Sequence, residues 1–282
     1  MTDNQKQADY WSSSAGLKWI QFEEELDTVF EAVNETLVNM AQPQCGERIV
    51  DIGCGTGATT RAFAEHLGPD GYISAIDISK PLLSHAKSRS RGVETRTNYS
   101  LTDAQADAMT DGPFDVAVSR FGVMFFADPV AAFRNIRKWL RPGGRLAIAG
   151  WASVDGNPWF EAPRDGAIAQ LGPADPSDPH APGPLGFQNI DHVTAILEDA
   201  GFANIEANCS TIVMRHPGPL ESVAALAANI GPAARIIKKY GGNADDVRAI
   251  AKHVHEAFRP FEEASGVRIP ARLNLFTADA GN

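Results

Sequence analysis

Cysteine is scarce in this chain. Its 282 residues include three, Cys45, Cys54 and Cys209, odd in number and far apart. No close-spaced Cys/His cluster of the zinc-binding kind results, so no metal is expected, and a reduced, cytoplasmic compartment is the simplest setting. Positive charge is in deficit too: 25 Lys and Arg stand against 35 Asp and Glu, a formal net charge of −10. That balance lacks the basic footprint required by nucleic acid or an anionic membrane surface, and neither partner is expected. Long apolar runs are missing: nothing approaches the ~18 residues that span a bilayer. The opening MTDNQKQADYW is too polar for the apolar core of a secretion signal. What is plentiful is apolar side chain, 44% of the residues, enough for one large domain or two small ones.

The patterning changes along the chain. Phe22, Leu26, Val29, Phe30, Val33, Leu37 and Met40 recur at helical spacing and predict one amphipathic helix over residues 21–40. From residue 47 strands and helices alternate. RIVDI (48–52), YISAID (72–77), NYSLTD (98–103), FDVAVS (114–119) and RLAIAGW (145–151) read as strands. Between them lie helices over 58–67, from Ser79 onward, and after Asp128, the last expected to stop at RPGG. This alternation implies a parallel sheet covered on both faces. A loop dense in Pro and Gly follows Leu171; NIDHVTAILEDAGF is a helix and NIEANCSTIVM a sixth strand. Helices are expected from about Leu220 to Ala264. GVRIPARLNLFTAD then closes the chain as a strand whose internal proline suggests an edge or bulged position.

The stretch RIVDIGCGTGATT carries the chemistry. A glycine-rich turn between strand and helix lets backbone approach a ligand closely. Gly53, Gly55 and Ala58 satisfy the dinucleotide spacing G-x-G-x-x-A, but Gly57 adds a third alternate glycine and Asp51 stands two residues before Gly53. A carboxylate there does nothing for a pyrophosphate and favours a ligand carrying ammonium and sulfonium charge. Asp77, ending the second strand, suits ribose hydroxyls in either case.

VDIGCGTG resembles the glycine motif of class I S-adenosylmethionine-dependent methyltransferases. LRPGGRLAI resembles their fifth-strand entry, and SRFGVMFFADPVAAFRNIRKWLRPGG is similar to a small-molecule branch near the quinone-biosynthesis type. The likeness is strong over 45–151 and looser to 277. It implies a Rossmann-like α/β fold, seven strands in the order 3-2-1-4-5-7-6 with the seventh antiparallel. The chain would be one methyltransferase domain: a helical cap (1–45), the core (46–215), a helical insertion between strands six and seven (216–265), and the final strand and tail (266–282). It also implies S-adenosylmethionine as cofactor, S-adenosylhomocysteine as product, and methyl transfer to an N, O, S or C nucleophile of a small molecule by in-line displacement.

Asp51, Gly53, Cys54, Gly55, Gly57, Asp77, Ile78, Asp103, Ala104 and Ser119 are then expected around the cofactor, with Trp11 and Trp19 closing over it. Arg120, at the crevice end of the fourth strand, has the guanidinium fork for a substrate carboxylate or phosphate. Phe121, Phe125, Trp151 and Trp159 are candidate walls of an apolar acceptor pocket. No catalytic residue is assigned. His66 and His85 sit on helices expected to lie away from the crevice, His180 in the Pro-rich loop, His192 near a helix start, and His253 and His255 two apart on a helix, facing different ways. A nicotinamide-linked oxidoreductase and a non-catalytic S-adenosylmethionine-binding protein are the alternatives. The insertion could serve as lid or as contact in a homodimer.

Overall fold

The computed structural model describes residues 3–90, 94–176 and 178–281. Four short helices open the chain: α1 (Asp3–Trp11), α2 (Ser14–Gln21), α3 (Glu23–Val29) and α4 (Glu31–Ala41). The single helix expected over 21–40 is therefore broken. Phe22 and Phe30 leave helical geometry (φ −105°, ψ 22° and φ −94°, ψ 7°) and the axis turns at each. The apolar face survives the break: Leu26, Val29, Phe30, Val33 and Leu37 are all buried.

The core alternates as its patterning requires. β1 (Arg48–Ile52), α5 (Ala58–Leu67), β2 (Tyr72–Asp77), α6 (Lys80–Arg89), β3 (Arg96–Leu101), β4 (Phe114–Arg120), α7 (Pro129–Trp139) and β5 (Leu140–Trp151) follow in turn. The central strands β1 and β2 are buried almost throughout, as continuous apolar runs in a two-face-covered sheet must be. Helix starts are fixed locally. The Ser79 side chain accepts from Leu82 N and the Asp128 side chain from Ala131 N, each with proline in the first turn.

Two boundaries differ from expectation. β3 lies two residues earlier than NYSLTD suggested, because this edge strand alternates exposed and half-buried residues and carries no apolar run. RPGG does not separate α7 from β5. It lies within β5 as a bulge: Phe114 pairs Leu140, while Val116 already pairs Arg145.

After β5 come α8 (Pro158–Leu171), α9 (Ile190–Asp199), β6 (Ala203–His216), and the helices α10 (Leu220–Asn229), α11 (Gly231–Tyr240) and α12 (Ala244–Phe258). A two-residue strand, β7 (Glu262–Glu263), precedes β8 (Gly266–Asp279), so helix does not reach Ala264 and the sheet counts eight strands rather than seven. The main path is β3-β2-β1-β4-β5-β8-β6, with β7 paired only to β8. β8 runs antiparallel to both β5 and β6 and takes the place expected of the seventh strand. Pro270 sits where β8 has outrun β5: the β5 ladder stops at Trp151–Leu273, and Pro270 pairs Val213 of β6 alone. The missing N–H therefore faces no strand on its other side. Among the described residues, no single helix is long and apolar enough to cross a membrane.

Candidate active site

The carboxyl ends of β1, β2 and β4 open onto one cavity, roofed by α1, α2 and α11. Crevices at the point where strand order reverses are where such sheets bind ligands. Gly53 and Gly55 line it with φ of +69° and +57°. At Gly53 the need for glycine is also steric. A Cβ there would lie 2.7 Å from the Gly122 Cα, and one on Gly122 would lie 2.6 Å from the Ile52 carbonyl oxygen. The turns after β1 and β4 touch backbone to backbone, and no side chain fits between them.

Asp77 is buried at the same opening. Its carboxylate accepts the Gly55 N–H at 2.8 Å and the Ser79 N–H at 2.8 Å. Burial raises its pKa and these hydrogen bonds oppose the shift. One carboxylate so ties the glycine turn to the start of α6 and still faces the cavity. Ile78, Leu82, Thr102 and Ala104 continue the wall.

Asp51 is placed differently. It is buried beneath the turn and does not line the cavity. Thr60 Oγ1 donates to its Oδ2 at 2.6 Å, while Oδ1 has no partner. Burial pushes its pKa up to about 6. Cys54, Gly57, Ser119, Asp103 and Trp159 also lie off the cavity wall. Cys54 is buried against Ala75 and Leu83; Gly57 is the N-cap of α5; Ser119 Oγ donates to the Ile52 carbonyl at 2.7 Å, joining β4 to β1. Trp159 packs on Phe258 of α12 at 5.6 Å and is core, a correction to its expected place in the acceptor wall. Its indole is drawn away because α8 faces the insertion helices.

Asp103 is engaged by a residue the sequence did not single out. Asn4 of α1 is buried and lines the cavity; its Nδ2 donates to Asp103 Oδ1 at 2.7 Å and its Oδ1 accepts from Ala127 N at 3.2 Å. Two further bonds fasten the cap: Ser79 Oγ to the Trp11 carbonyl and Lys18 Nζ to the Asn229 carbonyl, both 2.9 Å. Gly16 makes the tight α1–α2 corner possible, since a Cβ there would fall 1.8 Å from the Trp11 carbonyl oxygen. That glycine, inside WSSSAGLKW, was the one available signal of a folded-back cap.

The rest of the wall is aromatic. Trp11 meets Phe125 edge to face at 5.0 Å and Trp19 at 6.0 Å; Trp19 stacks on Phe30; Phe30 meets Phe121; and Phe121 stacks on Trp151 at 4.9 Å, 8° from parallel. Phe121 holds a positive φ of 66°, uncommon for a bulky residue and a strain of the kind that collects at functional sites. Arg120 lines this half, its guanidinium 5.2 Å over the Phe30 ring. Of the expected residues, the cavity thus brings together Trp11, Trp19, Gly53, Gly55, Asp77, Ile78, Ala104, Arg120, Phe121, Phe125 and Trp151.

Among the described residues no histidine lines the cavity. His85 instead pairs with the buried Glu23 of α3, which Arg89 also meets, so α6 holds the cap rather than lying remote from it. His180 and His192 of α9 lie with ring centroids 4.0 Å apart, tilted 46° to one another. Among the described residues no group of three or more His, Cys, Asp or Glu could hold a metal ion.

Residues 49–144 match the methyltransferase domain family. The chain is 36% identical over 149 residues to the biotin biosynthesis bifunctional protein BioCD of Bordetella avium (53% of this chain, 30% of that protein). It is 30% identical over 182 residues to phosphoethanolamine N-methyltransferase 1 of Triticum aestivum (64% and 33%). The chain thus spans about a third of the length of these curated relatives. In structure it is similar to phosphoethanolamine N-methyltransferase 2 of Haemonchus contortus, solved with phosphomonomethylethanolamine and S-adenosylhomocysteine. The TM-score is 0.52 at 17% identity, covering 89% of this chain and 52% of that one, a likeness of fold. The dinucleotide reading of Gly53, Gly55 and Ala58 finds no support in these matches. Loop, ribose-type acid and strand order agree with the family match: residues 49–144 form a methyltransferase domain set in a Rossmann-like sheet.

Proposed function

We propose that this chain transfers the methyl group of S-adenosylmethionine to a nucleophilic atom of a small molecule held against the aromatic wall. The observation that carries the reading is the single cavity with two unlike halves: the Gly53–Gly55 turn and Asp77 on one side, the ring cluster on the other. The first half fits the cofactor. The turn offers bare backbone, and both Asp77 oxygens, each accepting one N–H, keep lone pairs for ribose hydroxyls. Ile78, Leu82 and Ala104 offer apolar faces to an adenine. Trp11, Trp19, Phe125 and Trp151 would enclose the acceptor; Asn4 and Asp103 would hold the cap shut over both. Asp51 lies beneath as a buried charge favouring the cofactor's cationic end.

The bound cofactor supplies an already activated methyl group. The chain's task is then alignment and exclusion of water. Among the described residues the cavity wall contains no His, Lys or Glu, and its one carboxylate, Asp77, is committed to backbone N–H groups. This favours an acceptor that is nucleophilic without a side-chain base, such as an amine, a thiolate, an enolate or a carboxylate.

The test is thermal unfolding with S-adenosylmethionine, S-adenosylhomocysteine, NAD and NADP in separate samples, followed by acceptor screening with labelled methyl donor. A ligand at ~100 times its Kd stabilises by about 2.7 kcal/mol. Stabilisation by the S-adenosyl compounds alone is the expected result. Stabilisation by NAD or NADP alone would remove the reading.

A further inference from the structure

Arg120 ends β4 with its charge uncompensated at hydrogen-bonding range. Its Nε and Nη1 are shut off from solvent and have no partner in the protein. The acids nearest in charge are already engaged. Asp27 pairs with Arg61 at 2.6 Å and Arg89 at 3.1 Å, and Asp51 with Thr60 at 2.6 Å. The guanidinium lies instead 5.2 Å over the face of Phe30. Burial lowers its pKa to about 10, so at neutral pH the charged form still prevails by about a thousand to one. Arg120 is half-buried, but a charged guanidinium with two nitrogens sealed and unpartnered is costly, and such groups are found where a ligand completes the pairing. Arg120 lines the cavity, so a ligand there lies beside the guanidinium. The planar fork of an arginine is matched by a carboxylate or phosphate held through two parallel hydrogen bonds.

We propose that Arg120 is the oxyanion receptor of this cavity, pairing with a carboxylate or phosphate of a bound ligand. This rests on reading the cavity as the methyl-transfer site. Two sources carry that chemistry: the α-carboxylate of the cofactor itself, and an anionic group on the acceptor. Arg120 lies between the two halves: Asp51, beneath the glycine turn, acts on its charge, and Phe121 of the Phe121–Trp151 stack is its chain neighbour.

The experiment compares wild type, Arg120→Met and Arg120→Lys by calorimetric titration. S-adenosylhomocysteine is one probe. 5′-Methylthioadenosine, which keeps the nucleoside and sulfur but has no amino-acid carboxylate, is the second. Benzoate against benzamide, added to protein saturated with 5′-methylthioadenosine, is the third. If the cofactor is the source, Arg120→Met loses 10- to 100-fold in affinity for S-adenosylhomocysteine and none for 5′-methylthioadenosine, with Arg120→Lys between. If the acceptor is the source, both nucleosides bind the variant normally, while wild type binds benzoate over benzamide and the variant does not. Unchanged affinity for S-adenosylhomocysteine together with no benzoate preference in wild type overturns the proposal. Equal loss for both nucleosides overturns it as well, since that marks a general disturbance of the site. Should wild type bind neither nucleoside, the methyl-transfer reading fails separately, and the benzoate comparison, then made on the bare protein, still decides for or against Arg120.

Discussion

The two halves of the cavity are built by different means. The half around Gly53, Gly55 and Asp77 is made of backbone, and its parts lie within 25 residues of one another in sequence (77 − 53 = 24). The half around Phe121 and Trp151 is made of side chains drawn from α1, α2, the α3–α4 junction, the segment after β4 and the end of β5. A backbone site tolerates almost no variation, because a Cβ in the wrong place meets a carbonyl that cannot move. A side-chain site can be repacked with rings of other shapes while the sheet beneath stays the same. On the proposed reading, the first half holds the cofactor and the second is where an acceptor is chosen.

The sharpest way to break this contrast is to put a side chain into the backbone half. Gly53→Val places a branched Cβ at a φ of +69°, 2.7 Å from the Gly122 Cα. Strain and overpacking together are expected to cost about 4 kcal/mol. Urea unfolding should show the loss, and S-adenosylhomocysteine should no longer stabilise what remains folded. A variant of wild-type stability would show that the two turns can slide apart, and the backbone half would be no more rigid than the other.

Asp51 tests the same half through pH. Its folded pKa of about 6 lies above the ordinary 3.8, so the folded state holds the proton more tightly than the unfolded chain. Stability from this group is therefore full below about pH 4 and is lost as pH rises towards and through 6, by roughly 3 kcal/mol. Asp51→Asn keeps an oxygen for the Thr60 hydroxyl and removes the charge. The variant should match wild type near pH 3.5 and exceed it at pH 7. Parallel stability curves would mean that Asp51 is not desolvated. The expected accompaniment is weaker binding of S-adenosylmethionine, a charge placed for function at the expense of stability.

Legibility in the sequence followed the same division. The strands β1, β2, β4 and β8, the caps Ser79 and Asp128, the glycine turn and Asp77 could all be read, because each depends on neighbours a few residues away. Asn4 could not. Its partner Asp103 is 99 positions distant, and one asparagine in a polar helix carries no mark of what it will meet. The break at Phe30 was hidden for a related reason. Phe30 fits the apolar face of a continuous helix, and only the rings it meets, Trp19 and Phe121, show the turn. The bulge at RPGG was obscured by a strong helix-stop signal that the strand simply absorbed. Trp159 was misplaced because large aromatics mark core and pocket alike.

Asp77→Ala probes the join between local and distant parts. It removes the acceptor for two backbone N–H groups and the group facing ribose. A 10- to 100-fold loss of affinity for S-adenosylhomocysteine is expected, with a smaller loss of stability, since the freed N–H groups can reach solvent through the cavity. Titration of the folded variant measures the first and urea unfolding the second.

The smallest expected effect separates aromatic wall from aromatic core. Trp159→Phe keeps a ring beside Phe258 and deletes an indole N–H that has no partner, so the lost hydrogen bond is nil and only volume changes. Its cost should stay below about 1.5 kcal/mol, and S-adenosylhomocysteine should bind as before. Trp11→Phe is the matched change on the cavity side, where the indole meets Phe125 and Trp19. There the same loss of volume should weaken cofactor binding several-fold while stability changes no more than in Trp159→Phe, because Trp11 is only half-buried and roofs the cavity. If both variants bind S-adenosylhomocysteine equally, the cap packs on the domain without closing over the ligand. The aromatic half would then be core exposed by a crevice, and selection of the acceptor would pass to the loop and insertion residues, Pro184 and Arg235, that line the cavity's outer edge.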